Sequence, residues 1–270
     1  MSNHLETEIT KPREFGAVNW LGLWTLYKKE VRRFMKVVFQ TVLAPVATTL
    51  LFMLVFVVAI GSSRPAINGV DFPDFLAPGL MLMGILNNAF ANSSSTLLVS
   101  KVQGNTVDFL MPPLSAAELF IAFVGGAITR GILVAGATAL TLLPFASILP
   151  THIWAVLYFG LGAAAMLGMV GVIGGIWAEK FDHLSVVSNF IIMPLTFLSG
   201  TFYSVEMLPE PIRTISHFNP FFYMIDGFRY GFTGTADSQL WIGVVLVAAI
   251  NIVLAVISYG VLRAGWRLKS

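Results

Sequence analysis

Long runs without charged residues restrict the fold of this sequence more than any other feature. Residues 37–63 and 75–100 contain no Asp, Glu, Lys or Arg, and residues 119–178 contain only Arg130. A helix needs roughly 20 mainly apolar residues to cross a bilayer. These runs therefore predict several membrane-spanning helices.

The run at residues 119–178 is too long for a single crossing. Pro144, Pro150 and His152 lie near its middle, and proline interrupts helices, so we expect spans three and four on either side of them. The other spans are predicted at residues 38–60 (span one), between Asp74 and Lys101 (span two), between His183 and Glu206 (span five) and between Asp237 and Arg263 (span six). The fold class expected is an all-α polytopic membrane protein with six transmembrane helices.

Composition excludes several other classes of protein. The chain is 56% apolar and 11% charged, whereas a soluble domain carries roughly a quarter charged residues. Its net charge of +2 gives no basic field for nucleic acid, and the lack of cysteine excludes disulfides and thiolate metal sites. We expect a protein in contact with lipid and not with nucleic acid.

Lys and Arg are distributed unevenly around the predicted spans. With both termini on one side, that side holds Lys11, Arg13, Lys28, Lys29, Arg32, Arg33, Lys36, Lys101, Lys180, Arg263, Arg267 and Lys269, and the other holds Arg64, Arg213 and Arg229. Positive residues favour the cytoplasmic side. Both termini are therefore predicted to be cytoplasmic.

Two segments precede span one. Residues 1–15 mix acids and bases ahead of any apolar run, so we expect a flexible cytoplasmic tail. Residues 16–36 are predicted to form an amphipathic helix at the membrane interface. The apolar stripe behind that prediction consists of Trp20, Trp24, Tyr27, Val31, Phe34 and Val38. The alternative is a solvated basic flank that only sets topology.

Motifs for catalysis are missing from the sequence. No GxxxxGK[ST] phosphate loop occurs, and the four histidines are scattered without an HExxH pattern. We therefore expect no catalytic residue, no metal site, no directly bound cofactor and no enzymatic activity of the chain by itself.

A polar connection follows span two at residues 100–119. Gly104 is a helix breaker, Asp108 lies in a short helical piece, and the two prolines at 112–113 stop that piece before Glu118 begins span three. The apolar residues Val107, Phe109, Leu110 and Met111 would then face the cytosol and favour a docking partner. The alternative is a turn that packs on its own membrane domain.

A second polar segment, residues 203–234, is too charged to cross the bilayer and too aromatic for a free loop. Short re-entrant helices broken at Pro209, Pro211 and Pro220 would reconcile these properties, provided that protein or a water-filled cavity covers them. The charged and aromatic candidates near this segment are Phe202, Tyr203, Glu206, Phe221, Phe222, Tyr223, Asp226 and Arg229.

Polar residues inside the spans are candidates for a substrate path. Asn87, Asn88 and Asn92 lie in span two, where they serve either a path or interhelical hydrogen bonds. Arg130 lies ~18 Å along a helix from Glu118. Its partner is a carbonyl, an acid of the outer segment or an anionic substrate, unless the side chain snorkels to the cytoplasmic interface.

The two polar segments together resemble the ABC type-2 permease family, the membrane subunits of exporters for drugs, polysaccharides and lipid-linked glycans. The first segment matches the family's coupling region in Gly104, Asp108, Pro112, Leu114, Ser115 and Glu118. The second matches its outer signature in FLSGTFYS (197–204), NPFFY (219–223) and DGFRYGFTG (226–234). The resemblance extends from about Trp20 to the C-terminus.

This resemblance implies a bacterial inner-membrane protein whose residues 37–270 form a six-span permease domain. It implies a homodimer with the substrate path at its interface, driven by two copies of a separate ABC ATP-binding subunit that holds ATP and Mg. The residues expected to couple to that subunit are Gly104, Asp108, Phe109, Leu110, Met111, Pro112, Leu114 and Glu118. The outer aromatic and charged residues named above would form an exit gate.

Two other functions stay open. A gradient-driven secondary transporter would show internal repeats or acids inside the spans, and neither is visible in the sequence. A membrane assembly scaffold would need neither a substrate path nor an ATP-binding partner.

Overall fold

The computed structural model describes residues 16–60 and 66–268, and the regular structure in these ranges is helical apart from one β-bridge between Ile67 and Val70. The tail predicted at residues 1–15 lies outside the described residues, as do Arg64 and Lys269. The α-helices are α1 (Trp20–Met35), α2 (Ala44–Leu54), α3 (Phe72–Val102), α4 (Val107–Leu110), α5 (Ala116–Leu142), α6 (Ile153–Trp177), α7 (Phe181–Val187), α8 (Met193–Leu198), α9 (Glu210–His217), α10 (Pro220–Thr233) and α11 (Leu240–Ala264).

Six helical stretches in the described ranges are long and apolar enough to cross a membrane. They are Phe39–Val57, Phe72–Val102, Ala116–Leu142, Ile153–Trp177, Phe181–Leu198 and Leu240–Ala264. Span one combines α2 with π-helical segments at Phe39–Leu43 and Val55–Ile60, and span five joins α7 to α8 through a π-helical segment at Ser188–Ile192. The predictions of six spans and an all-α fold are confirmed.

The break predicted between spans three and four is also confirmed. α5 ends at Leu142 and α6 begins at Ile153, with Pro144 and Pro150 between them. His152 precedes α6, and its backbone N–H donates to the carbonyl of Gly231 at 2.8 Å. This bond fastens the connection to α10.

α3 is the centre of the bundle. In its most apolar window 78% of the residues are buried, against 22%, 17% and 11% for spans one, five and six. It packs most extensively against α6 and α5. A Cβ atom at Gly171 would lie 2.6 Å from the carbonyl oxygen of Phe90, and one at Gly175 would lie 2.7 Å from that of Ser94. Glycine therefore allows α3 and α6 to approach closely.

The helix predicted before span one is present as α1, which packs against α5. Its predicted aromatic stripe is divided between two environments. Trp20 and Trp24 are 72% and 58% exposed, whereas Phe34 is buried together with Leu26 and Glu30. The face of α1 that packs on α5 therefore includes the carboxylate of Glu30.

α9 and α10 fill the connection between spans five and six. Pro209 precedes α9, and Pro220 begins α10 directly after Asn219, so helix breaks at these two prolines are confirmed. The break predicted at Pro211 is wrong, because this residue occupies the first turn of α9, where no intrahelical N–H is needed. α10 packs against α6, α3 and α11 and lies inside the bundle.

Candidate functional site

A cavity of about 680 Å³ opens between α1, span one, α3 and α5, and we call it the basic cavity. Two arginines, Arg33 and Arg130, line it. Its uncharged polar residues are Gln40, Thr41, Thr48, Thr49, Asn87, Asn88 and Ser95. Within residues 16–60 and 66–268, no aspartate or glutamate belongs to the lining.

Arg130 lies near the middle of α5 and is half-buried. Its Nε and Nη2 donate to Oδ1 of Asn88 at 3.3 Å and 3.1 Å. Asn88 in turn donates from Nδ2 to the carbonyl of Gly84 at 3.0 Å. Asn87 lines the same cavity, and its Nδ2 donates to the carbonyl of Met83 at 2.9 Å. Three of the four predicted path residues therefore share one wall.

Asn92, the fourth predicted path residue, lies behind that wall and is fully buried. Its backbone oxygen and Oδ1 accept from Nη2 of Arg33 at 2.8 Å and 3.1 Å. Nη1 of Arg33 donates to Oγ of Ser95 at 3.1 Å. Asn92 thus acts on the cavity by fixing the position of Arg33.

Glu30 stands behind Arg33 with no exposed surface. Its Oε2 lies 3.5 Å from Nη2 of Arg33, and its Oε1 accepts from Oγ1 of Thr96 at 3.0 Å. Burial raises the pKa of Glu30 above its ordinary value, although the charge of Arg33 opposes this shift. The ionised carboxylate is consequently a costly partner for Arg33 at this depth.

The predicted path omitted Arg33 and Glu30. One signal was present in the sequence: Leu26, Glu30 and Phe34 recur at four-residue steps, which places them on one helix face. A carboxylate between two buried apolar residues on such a face indicates a buried charge.

The predicted coupling residues, which lie in the connection from α3 to α5, differ in their exposure to solvent. Gly104, Asp108, Met111 and Pro112 are exposed, and Met111 is 80% exposed. Gly104 has φ +71°, a conformation that favours glycine. The half-buried members are Leu110 and Leu114.

Phe109 points inward from α4. It is 2% exposed and packs edge-to-face on Phe123 of α5, with ring centroids 5.6 Å apart. Beside it, a groove of about 280 Å³ runs between α1 and α4, lined by apolar atoms of Leu26, Pro112 and Leu114. Phe109 forms the floor of this groove and is not part of the outer surface.

Glu118 is 5% exposed and joins two segments. Its Oε1 accepts from the backbone N–H of Asn19 at the start of α1, and its Oε2 accepts from that of Ser115 at 2.6 Å. The Ser115 hydroxyl accepts from the backbone N–H of Glu118 at 3.3 Å, which completes a capping box. One carboxylate thus fastens α1 to the start of α5.

At the opposite end of spans one and five lies an aromatic groove of about 470 Å³. It is lined by Phe52, Phe56, Pro194, Phe197, Leu198, Phe202 and Tyr203. The ring of Phe202 stacks on Phe56 with centroids 4.9 Å apart. The hydroxyl of Tyr203 donates to the carbonyl of Phe197 at 3.1 Å. Two predicted gate residues therefore lie in this groove.

Glu206 lies apart from the other predicted gate residues. Its Oε2 is 2.8 Å from Nη2 of Arg213, and 41% of its side chain is exposed. An exposed ion pair of this kind contributes about 0–1 kcal/mol, so it adds little to the rigidity of this end.

Asp226 and Arg229 are buried on α10, and each fastens a different segment. Asp226 accepts from the backbone N–H groups of Asp237 and Ser238 at 2.8 Å and 2.9 Å. Arg229 donates from Nε to the backbone carbonyl of Phe75 at 3.1 Å, and its guanidinium lies 3.7 Å from the centroid of the Phe75 ring. The remaining gate residues are the buried Phe221 and Phe222 and the half-buried Tyr223.

Metal-ligating side chains do not gather anywhere in the described ranges: no group of three or more His, Asp or Glu residues is placed to hold an ion. The described polar clusters include a surface groove of about 740 Å³ along α1, lined by Lys28, Lys29, Arg32, Arg33 and Lys36. Three others are the basic cavity, the Glu118 junction and the bonds around α10. Among those three, the basic cavity combines open volume with charge.

Known proteins resemble nearly the whole of this chain. The sequence model of the family described as ABC-2 type transporter matches residues 22–233. Inner membrane transport permease YadH of Escherichia coli K12 is 34% identical over 255 residues, which cover 93% of this chain and 98% of YadH. Nodulation protein J of Rhizobium leguminosarum bv. viciae is 22% identical over 86% of this chain and 90% of that protein. The chain therefore belongs to the ABC-2 type transporter family.

Proposed function

We propose that this protein is the permease subunit of an ABC exporter. Two copies would form a substrate path at their interface, and two ABC ATP-binding subunits, which hold ATP and Mg, would drive it. Membership of the family implies an ATP-binding partner in general. The observation that carries the proposal is the open basic cavity, which lies against spans one and five at the outside of the subunit.

The membrane is proposed to be the bacterial inner membrane, as the name of YadH states for that protein. We place both termini in the cytoplasm because Lys28, Lys29, Arg32, Lys101 and Arg263 lie at the end of the bundle that carries α4. The exposed Trp20 and Trp24 support an interfacial position for residues 16–36, beside a permease domain at residues 37–270.

Coupling to the ATP-binding subunit is assigned to the exposed part of the α3–α5 connection. Asp108 and Met111 offer a charge and an apolar side chain at its surface. Phe109 and Glu118 then act as positioning residues, because they are buried beneath that surface.

At the other end, α9 and α10 are proposed to be re-entrant helices, and the aromatic groove is proposed to be the exit gate. The buried bonds of Asp226 and Arg229 support a rigid frame behind this gate. Phe56 and Tyr203, both half-buried, then form its accessible wall, and the buried Phe202 stacks on Phe56.

The experiment is co-purification with the ATP-binding subunit encoded beside this chain, followed by ATP hydrolysis in lipid nanodiscs. The Asp108→Ala, Met111→Ala double variant is expected to dissociate or uncouple the complex. The matched control is Glu210→Ala with Met207→Ala, an acid and a methionine exposed at the opposite end. This control should hydrolyse ATP like the wild type.

Two results would contradict the proposal. If no ATP-binding subunit forms a stable complex with the wild type, the exporter is wrong and a scaffold or gradient-driven carrier takes its place. If the complex forms but both double variants behave like the wild type, the coupling surface lies elsewhere.

A further inference from the structure

The basic cavity holds more positive charge than its surroundings balance. Arg130 bonds to the neutral amide of Asn88. No carboxylate in the described ranges lies within 4.0 Å of the Arg130 guanidinium, the distance that defines an ion pair. Glu30 is 3.5 Å from Arg33 but lies behind the wall, and Nε of Arg33 is buried without a hydrogen-bond partner. A guanidinium has five N–H donors. Nη1 of Arg33 makes one bond, to Ser95, and the bonds of Arg130 to Asn88 use Nε and Nη2, so Nη1 of each arginine keeps N–H groups for a ligand.

The depth of Arg130 makes this imbalance expensive. It lies near the middle of α5, beside Asn88 near the middle of α3. A charged side chain at such depth is costly, and within membranes it marks substrate or ion pathways. Arginine forks match carboxylate and phosphate oxygens. An anion in the cavity would supply the missing countercharge.

The basic cavity and the aromatic groove lie end to end along span one and span five. Thr49 of α2 lines the first, and Phe52, one turn further along, lines the second. On span five, Met193 lines the basic cavity and the next residue, Pro194, lines the aromatic groove. The open surface is thus basic toward α1 and aromatic toward α9.

We propose that the basic cavity binds the anionic head group of an amphiphilic substrate through Arg33 and Arg130, with the apolar part of that substrate along the aromatic groove. This inference rests on the proposed function and names the chemical class of its substrate. The head group carries phosphate or carboxylate oxygens, since both suit a pair of guanidinium groups.

Cysteine is absent from the chain, which allows a specific fluorescent label at the site. Thr48→Cys places the label on an exposed residue of the cavity wall, and Leu149→Cys places it on a residue that is 78% exposed and outside both cavities. The labelled chain, without its ATP-binding subunit, is put in phosphatidylcholine nanodiscs and titrated with dodecyl phosphate. The expected result is a saturable signal at position 48 and none at position 149.

Variants then test the two arginines. Arg130→Gln is expected to weaken the binding of dodecyl phosphate about tenfold or more, which is the usual effect of losing hydrogen bonds to a charged group. Arg130→Lys keeps the charge but loses the fork, so its binding should lie between that of the wild type and that of Arg130→Gln. Gln40→Glu adds an acid at an exposed position of the wall and should weaken binding as Arg130→Gln does. Arg213→Gln, outside both cavities, is the control and should have no effect.

The aromatic groove needs its own pair of variants. Phe56→Ala should weaken dodecyl phosphate binding, whereas Phe190→Ala should not, because Phe190 is 76% exposed and lines neither cavity. Equal losses from both changes would overturn the position assigned to the apolar part.

Three outcomes would overturn the proposal of an anionic, amphiphilic substrate. Dodecyl maltoside, which is neutral, would bind as tightly as dodecyl phosphate, or Arg130→Gln and Gln40→Glu would both bind like the wild type. Alternatively, sodium phosphate alone would give the same signal at the same affinity, and the ligand would then be a soluble anion. Because the assay omits the ATP-binding subunit, a failure here is distinguishable from failure to form the exporter complex.

Discussion

Gly171→Ala tests whether close approach of α3 and α6 holds the bundle together. The added Cβ would lie 2.6 Å from the carbonyl oxygen of Phe90, 3.1 Å from Cβ of Ser93 and 3.2 Å from the backbone nitrogen of Ser94. These atoms belong to the backbone of α3 or are bonded to it, so no rotamer change relieves the contact. The two helices must separate by roughly 0.8 Å, and a gap of that size forfeits about a quarter to a half of each dispersion contact.

The expected change in the free energy of unfolding follows from two opposing effects. Overpacking of this kind costs about 1–3 kcal/mol, while alanine gains about 1 kcal/mol of helix propensity over glycine. Because the contacting atoms are rigid, we expect a net loss of about 1–2 kcal/mol. Gly174→Ala is the matched control in the same helix, since its Cβ would approach no atom closer than 3.6 Å, and it should be neutral or stabilising.

The assay is thermal unfolding of both variants in one detergent, followed by size-exclusion chromatography with fluorescence detection. A loss of about 1–2 kcal/mol corresponds to roughly 2–8 °C in a protein of this size. If Gly171→Ala unfolds at or above the wild-type temperature, or if Gly174→Ala loses as much, close packing at Gly171 does not limit stability.

Three further changes test the buried carboxylates. Glu118→Ala leaves the N–H groups of Asn19 and Ser115 without their acceptor and should cost about 1–3 kcal/mol; unchanged hydrogen exchange at the start of α1 would refute this. Asp226→Asn puts an NH₂ group against the converging donors of Asp237 and Ser238 and should lower the unfolding temperature, whereas an unchanged temperature would contradict the bonding described. Since burial raises the pKa of Glu30, ionisation opposes folding, so Glu30→Gln should gain stability relative to the wild type as pH rises above 4.5; the opposite trend would mean that the bond to Arg33 outweighs burial.

The spans were predictable because bilayer thickness sets the length of an uncharged run. The prolines between residues 142 and 153 and at Pro209 and Pro220 likewise fixed helix boundaries through the missing N–H. Asn87, Asn88 and Arg130 were recognisable as path candidates because polar groups inside an apolar run are conspicuous.

The orientation of each helix face was not predictable in the same way. Residues that face lipid and residues that face the core are both apolar, so the predicted aromatic stripe of α1 combined the exposed Trp20 and Trp24 with the buried Phe34. For the same reason, Phe109 was expected at a partner surface, although it packs on Phe123. These placements depend on contacts between helices distant in sequence, which local periodicity does not contain.

The junction at Glu118 has a mechanical consequence. α1 is attached there at Asn19, and fourteen residues later, ~21 Å along the helix axis, it carries Arg33 into the wall of the basic cavity. α1 also packs along α5, so its two ends are expected to move together. A force applied to the α3–α5 connection therefore reaches the cation in the cavity wall along one helix, through the bonds that join Asn19 to Glu118 and Pro113.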